Sequence, residues 1–128
     1  MLVEGKHYRT IWPNKDLSGV TIIDQTYLPF EFKLSQLGSL DEIVEAIKFM
    51  RVRGAPLIGV TAAYGIAIAL TENLSDQSLM TAKKVLIESR PTAVNLSWAV
   101  NFVYDKLKKE PEVSRVSMAW KLANRLAD

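Results

Sequence analysis

The sequence predicts an α+β domain: a small antiparallel β-sheet of about three strands at the N-terminus, then a mostly helical bundle of about five helices. Three observations carry this. β-branched and alternating apolar runs are confined to residues 7–35, with proline and glycine breaks between them. From residue 39 onward apolar residues recur at helical spacing, in segments separated by capping and breaking residues. One segment, Arg53 to Leu70 (RGAPLIGVTAAYGIAIAL), has no charged side chain after its first residue. A helix there is apolar on every face, so the remaining elements must wrap it.

Taken in order, HYRTIW (His7 to Trp12) reads as an edge strand, and Pro13-Asn14-Lys15-Asp16 as a turn. Val20 to Asp24 (VTIID) is a β-branched strand buried on at least one side. After Tyr27-Leu28-Pro29, Phe30, Phe32 and Leu34 alternate with Glu31, Lys33 and Ser35, the pattern of a strand with one wet face. Ser39 and Glu42 form a capping box, which opens a helix carrying Leu40, Ile43, Val44, Ile47 and Met50 on one face. Its end is expected at Arg51-Val52-Arg53-Gly54, with Arg51 complementing the helix dipole in solvent. Pro56 suits the first position of the central helix. Inside that helix Gly59 and Gly65 predict close approach of a neighbouring backbone, and Tyr64 reads as a buried tyrosine with a bonded hydroxyl. Ser75 or Asp76 caps a third helix, with Leu79, Ala82, Val85 and Leu86 inward and Lys83, Lys84 and Glu88 outward. Thr92 caps a fourth, with Leu96, Ala99, Val100, Val103 and Leu107 buried. After Pro111 a fifth helix places Val113, Val116, Trp120 and Ala123 inward and runs to Asp128 without a terminator.

A chain of 128 residues, 48% apolar and 23% charged, fits a single domain over residues 1–128. Its net charge of +2, from 16 basic and 14 acidic residues, is too balanced for a general nucleic-acid surface. Electrostatic function must therefore be local. The absence of cysteine excludes disulfides, thiolate metal sites and a cysteine nucleophile within these residues. The first ten residues, MLVEGKHYRT, have the character of neither a signal nor a transit peptide, so a cytoplasmic location is expected. The charge-free run from Gly54 to Thr71 is shorter than the roughly 20 residues of a membrane span and rich in Ala and Gly, which reads as a buried helix.

The chemistry these residues support is anion binding. Arg53, Gly54 and Ala55 place a fixed positive charge and small residues at the start of the central helix, where free N–H groups and the helix dipole favour phosphate or carboxylate. The pattern recurs at Arg90-Pro91-Thr92 before the fourth helix. Two arginines converging on one pocket would clamp a phosphate; alternatively each pairs with a carboxylate of its own chain. A single histidine, His7, offers no metal set and no nucleophile–base pair. Asp24, at a strand end, suits an Asx-turn. GAPLIGVTAAYG lacks both the lysine of a P-loop and G-x-G-x-x-G spacing.

Three stretches also carry a resemblance that covers nearly the whole chain. IIDQTYLP, MRVRGAPLIGVTAAYG (Met50 to Gly65) and SRPTAVNLSW (Ser89 to Trp98), in this order and spacing, resemble the N-terminal domain of the S-methyl-5-thioribose-1-phosphate isomerases. That family shares its fold with ribose-1,5-bisphosphate isomerase and with regulatory subunits of the exchange factor for translation initiation factor two, whose motifs are looser. The resemblance implies an aldose–ketose isomerisation of methylthioribose-1-phosphate to methylthioribulose-1-phosphate in methionine salvage, with no metal or organic cofactor. It places the substrate-binding Arg-Gly-Ala on Arg53, Gly54 and Ala55 and a second substrate-contacting arginine on Arg90. The family's catalytic cysteine and acid–base aspartate lie in a following Rossmann-like domain, which these 128 residues lack, so no catalytic residue is expected here. The resemblance thus implies a substrate-clamping N-terminal part, inactive alone, whose partner is a small-molecule sugar phosphate, with neither nucleic acid nor membrane involved. The full-length protein is expected to form a homodimer through that second domain. The alternative is a non-catalytic regulatory or scaffolding domain related to the exchange-factor subunits; a further alternative is a relative of ribose-1,5-bisphosphate isomerase.

Overall fold

The computed structural model describes residues 2–3, 6–7, 11–15, 18–24, 33–52 and 54–127. Strands β1 (Leu2–Val3) and β2 (Lys6–His7) pair as a short antiparallel ribbon. β3 (Ile11–Pro13), β4 (Val20–Ile23) and β5 (Leu34–Leu37) form a three-stranded antiparallel sheet in the order β3-β4-β5. Ile22 stands opposite Ile11 on one side and Ser35 on the other. As the central strand, β4 is buried along its length, which explains why VTII shows no alternation. Leu34 differs from expectation: it faces solvent, and Leu37 turns into the core instead. Phe30 and Phe32 lie outside the described residues, as does the Gln25 to Pro29 part of the first motif.

Five helices follow: α1 (Leu40–Lys48), α2 (Ala55–Glu72), α3 (Asp76–Ser89), α4 (Val94–Lys108) and α5 (Glu112–Ala127). Ser39 caps α1 by accepting from the Glu42 N–H at 3.2 Å, while the Glu42 carboxylate reaches back to the Gly38 N–H at 3.1 Å. The box is thus shifted one residue outward from its usual partner. Helix α1 ends earlier than expected, at Lys48, because Met50 adopts φ 61°. Arg51 N–H then donates to Ala46 C=O at 2.9 Å and Met50 N–H to Ile47 C=O at 3.3 Å, the two bonds of a Schellman turn. Met50 consequently faces solvent rather than the core.

Helix α2 is the axis of the bundle, and every residue from Thr61 to Leu70 is buried. Its side chains share one apolar core with Ile11, Val20, Ile22 and Leu37 of the sheet and with the inward faces of the other helices. Helix α5 runs antiparallel to it. The Tyr64 hydroxyl donates to Asn124 Oδ1 at 2.6 Å, and Trp120 Nε1–H donates to Thr71 Oγ1 at 3.1 Å. Tyr64 is therefore the buried, hydrogen-bonded tyrosine the sequence suggested. Among the described residues no helix is long and apolar enough to cross a membrane.

The buried stripe of α4 comprises Leu96, Ala99, Val100, Val103 and Leu107, as its spacing predicts. Ser75, not Asp76, caps α3. Thr92 does not cap α4; Ala93 holds that position without a side-chain bond. In α5 Val113 is 85% exposed and the buried place in the first turn belongs to Arg115, only 5% exposed. Arg115 Nε–H donates to the carbonyls of Leu107 at 3.0 Å and Glu110 at 3.2 Å, and Nη1 pairs with Asp76 at the start of α3. One side chain thus meets the open C-terminal carbonyls of α4 and ties three helices together at one end of the bundle.

Candidate functional site

At the other end of the bundle, the starts of α2 and α4 lie side by side. Gly59, in the second turn of α2, sits so close to α4 that a Cβ there would stand 3.1 Å from Asn95 C=O and 3.2 Å from Ala99 Cβ. The expected close backbone approach is therefore real at Gly59. At Gly65 it is not backbone that intrudes: the neighbours are the side chains of Ile43, at 2.8 Å from an ideal Cβ, and Leu86.

These two helix starts differ from the others in the same way. α1 and α3 each carry a serine cap and an acidic residue in the first turn. α2 and α4 have neither: their N-caps are Gly54 and Ala93, without side-chain bonds, and their first turns hold no acidic residue. The first intrahelical bonds are Ile58 N–H to Gly54 C=O at 3.0 Å and Ser97 N–H to Ala93 C=O at 3.2 Å. Ahead of these bonds, the N–H groups of Ala55 and Leu57 on α2, and of Val94, Asn95 and Leu96 on α4, have no internal partner among the described residues. Gly54 has φ 96° with nothing within 4 Å of an ideal Cβ, so the backbone angle rather than crowding requires glycine there. Pro56 is the second residue of α2, one later than expected, and removes one N–H from its first turn.

Arg90 is the C-cap of α3, and its carbonyl accepts the Ala93 N–H at 3.0 Å, closing the turn that leads into α4. Half-buried, it forms no ion pair with a carboxylate among the described residues. Arg53 lies outside the described residues; Gly54 and Ala55 stand at the start of α2 and Arg90 in the turn before α4, the helix that α2 meets at Gly59. Arg51 is not a freely solvated charge. Its Nη2 lies 3.1 Å from Glu45 Oε1 and its Nε 3.9 Å from Asp24 Oδ2, the latter carboxylate belonging to a residue only 3% exposed. Local carboxylates are thus matched to Arg51, while the starts of α2 and α4 stay acid-free.

Beside the helix starts opens a cleft of about 250 Å³, lined by Pro56, Gly59, Val60, Asn95, Trp98 and Leu126. Trp98 is 57% exposed and stacks on Phe102, with ring centroids 5.2 Å apart and planes 7° from parallel. Neither Asn95 nor Trp98 emerged from the sequence as a site residue. The available signal was a second apolar row on α4, Val94, Trp98 and Phe102 at intervals of four, off the buried stripe.

The fold and this geometry define a class: an α+β domain that presents two uncapped helix starts, free of acidic side chains, at one end of a helical bundle. The chain belongs to the initiation factor 2 subunit family, whose model matches residues 51–126. It is 47% identical over all 128 residues to a methylthioribose-1-phosphate isomerase of Methylorubrum populi, of which it covers 35%. The chain spans about a third of the length of the methylthioribose-1-phosphate isomerases it matches. Among solved structures it resembles the translation initiation factor eIF-2B subunit delta from A. fulgidus (TM-score 0.83, 31% identity, 94% of this chain and 36% of that one). It also resembles 5-methylthioribose 1-phosphate isomerase from Pyrococcus horikoshii OT3 (TM-score 0.81, 34% identity, 94% of this chain and 37% of that one).

Proposed function

We propose that this chain is the phosphate-holding part of a methylthioribose-1-phosphate isomerase. The adjacency of the α2 and α4 starts supports the reading: two helix starts lie side by side, and neither first turn holds an acidic side chain that would compete with an anion. Gly54 and Ala55 supply close backbone approach, and the guanidinium of Arg90 offers a fork that matches a phosphate. Arg53, immediately before Gly54, supplies the second positive charge. The identity with isomerases over all 128 residues supports assigning the sugar phosphate as ligand.

Converting an aldose phosphate to its ketose moves a hydrogen from C2 to C1, which needs an acid–base pair held over the sugar. This chain's contribution is to fix the phosphate and so orient those carbons. The cysteine and aspartate that move the proton belong, in this reading, to the portion of the relatives that the chain does not span. The chain alone should bind methylthioribose-1-phosphate without turning it over, in the cytoplasm in the native setting. Arg53→Ala and Arg90→Ala should each weaken binding by about tenfold or more in calorimetric titration. Measured turnover by the 128 residues alone would refute the division of labour.

The fold match to the A. fulgidus initiation-factor subunit supports a second reading, a regulatory or scaffolding domain. Under that reading the protein is indifferent to sugar phosphates and associates tightly with initiation-factor components. Titrating both kinds of ligand against the same preparation separates the two.

A further inference from the structure

We propose that Arg51 is a positioning residue for the start of α2: it braces the connection between α1 and α2 against the sheet, and so fixes where Gly54 and Ala55 present their backbone. This rests on the phosphate reading above and extends it from the groups that meet the anion to the group that holds them in place. Gly54 needs such a hold. It has φ 96°, no side-chain cap, and nothing among the described residues within 4 Å of an ideal Cβ, so no packing of its own sets its place. A binding constellation works only while its groups stay within about 0.5 Å of the productive geometry, and the residues ahead of Gly54 must supply that precision.

Arg51 reaches two elements from this connection. Its Nη2 donates to Glu45 Oε1 on α1 at 3.1 Å, and its Nε stands 3.9 Å from Oδ2 of Asp24, the residue directly after β4. Asp24 is a firm anchor: it is buried, and its N–H donates to Lys33 C=O at 2.8 Å, beside the last β4–β5 pair of Ile23 and Leu34. The backbone of Arg51 is tied as well, through its N–H to Ala46 C=O, and the next side chain, Val52, is fully buried in the core. The chain is thus fastened at residues 51 and 52, just ahead of Gly54. Stability is not the main use of the contact. The side chains of Arg51 and Glu45 are 37% and 49% exposed, and ion pairs so open to solvent add little to folding. A planar guanidinium held between carboxylates on two elements does fix direction, which a flexible ammonium does not.

The test is a calorimetric titration of the 128-residue chain with inorganic phosphate, beside urea unfolding and amide-resolved NMR without ligand. In Arg51→Met the phosphate affinity should fall about threefold to tenfold while the urea midpoint changes little. Glu45→Ala cuts only the α1 arm of the brace. It should lower the affinity less and shift the Gly54 and Ala55 amide signals, although Glu45 is distant in sequence, and both effects should vanish in the Arg51→Met background. Arg51→Lys should recover only a minor part of the lost affinity. Wild-type affinity in Arg51→Met overturns the brace and leaves the phosphate site standing. So does a loss of affinity in Arg51→Met with Gly54 and Ala55 signals unmoved by Glu45→Ala, since Arg51 would then act on the anion directly. Should Arg51→Met fail to fold, Glu45→Ala carries the test alone, and an unchanged affinity there overturns the brace. Failure of the wild-type chain to bind phosphate overturns the phosphate reading and the brace with it.

Discussion

Met50 and Arg115 show how single side chains set the limits of helices here. A non-glycine residue in the left-handed region is disfavoured by about 1–2 kcal/mol, and Met50 sits there at φ 61° with its side chain in solvent. Met50→Gly should therefore raise stability by about 0.5–1 kcal/mol, seen as a higher urea midpoint at unchanged slope. Arg115 is the opposite case, a buried cation whose donors meet carbonyls that would otherwise be unpaired. Arg115→Met should destabilise the chain by about 2–4 kcal/mol, and Arg115→Lys should recover little, since an ammonium cannot reproduce the Nε–H geometry toward Leu107 and Glu110. Both residues were poorly visible in sequence. A methionine at helical spacing reads as core, and the row of Val113 and Val116 reads as the buried face, with no place in it for Arg115. Arg115 is buried because its partners are the carbonyls at the end of α4, remote from any local pattern.

Among the elements, legibility followed burial and capping. The stripe of α4 was readable because it keeps one helical period along its length, and the core of α2 because the run from Gly54 to Thr71 carries no charge on any face. Ser39 and Ser75 announced α1 and α3 because a cap is a local interaction between residues three apart. α4 begins without one, so Thr92 offers a cap that the chain does not use. The absence of a cap belongs to the function proposed for that end of the bundle. Gly59 and Gly65 separate packing from function. Gly65→Ala should cost about 1–3 kcal/mol through Ile43 and Leu86 and leave phosphate affinity unchanged. Gly59→Ala pushes against the Asn95 carbonyl, so it should lower stability and also weaken phosphate binding severalfold by spreading the two helix starts. Paired urea unfolding and phosphate titration of the two variants checks both halves of this expectation.

For the whole molecule, the end closed by Arg115 carries stability, and the function proposed above puts recognition at the other end. Arg115 and Asp76 close the lower end with mutual pairing, while the upper end leaves N–H groups and Arg90 without carboxylate partners among the described residues. Motif order carried most of the family assignment, since Arg53-Gly54-Ala55 and Arg90 lie 35 or more residues apart and no local pattern links them. The cleft at Trp98 could not be read from either motif, because α5 supplies one wall through Leu126. The most direct measurement is amide-resolved NMR of the isolated chain as methylthioribose-1-phosphate is added. Saturable shifts are expected at Gly54, Leu57 and Val94 to Leu96, lost in Arg90→Ala. Shifts at the Arg115 end instead, or a spectrum unmoved at millimolar ligand, would contradict a phosphate site at the two helix starts.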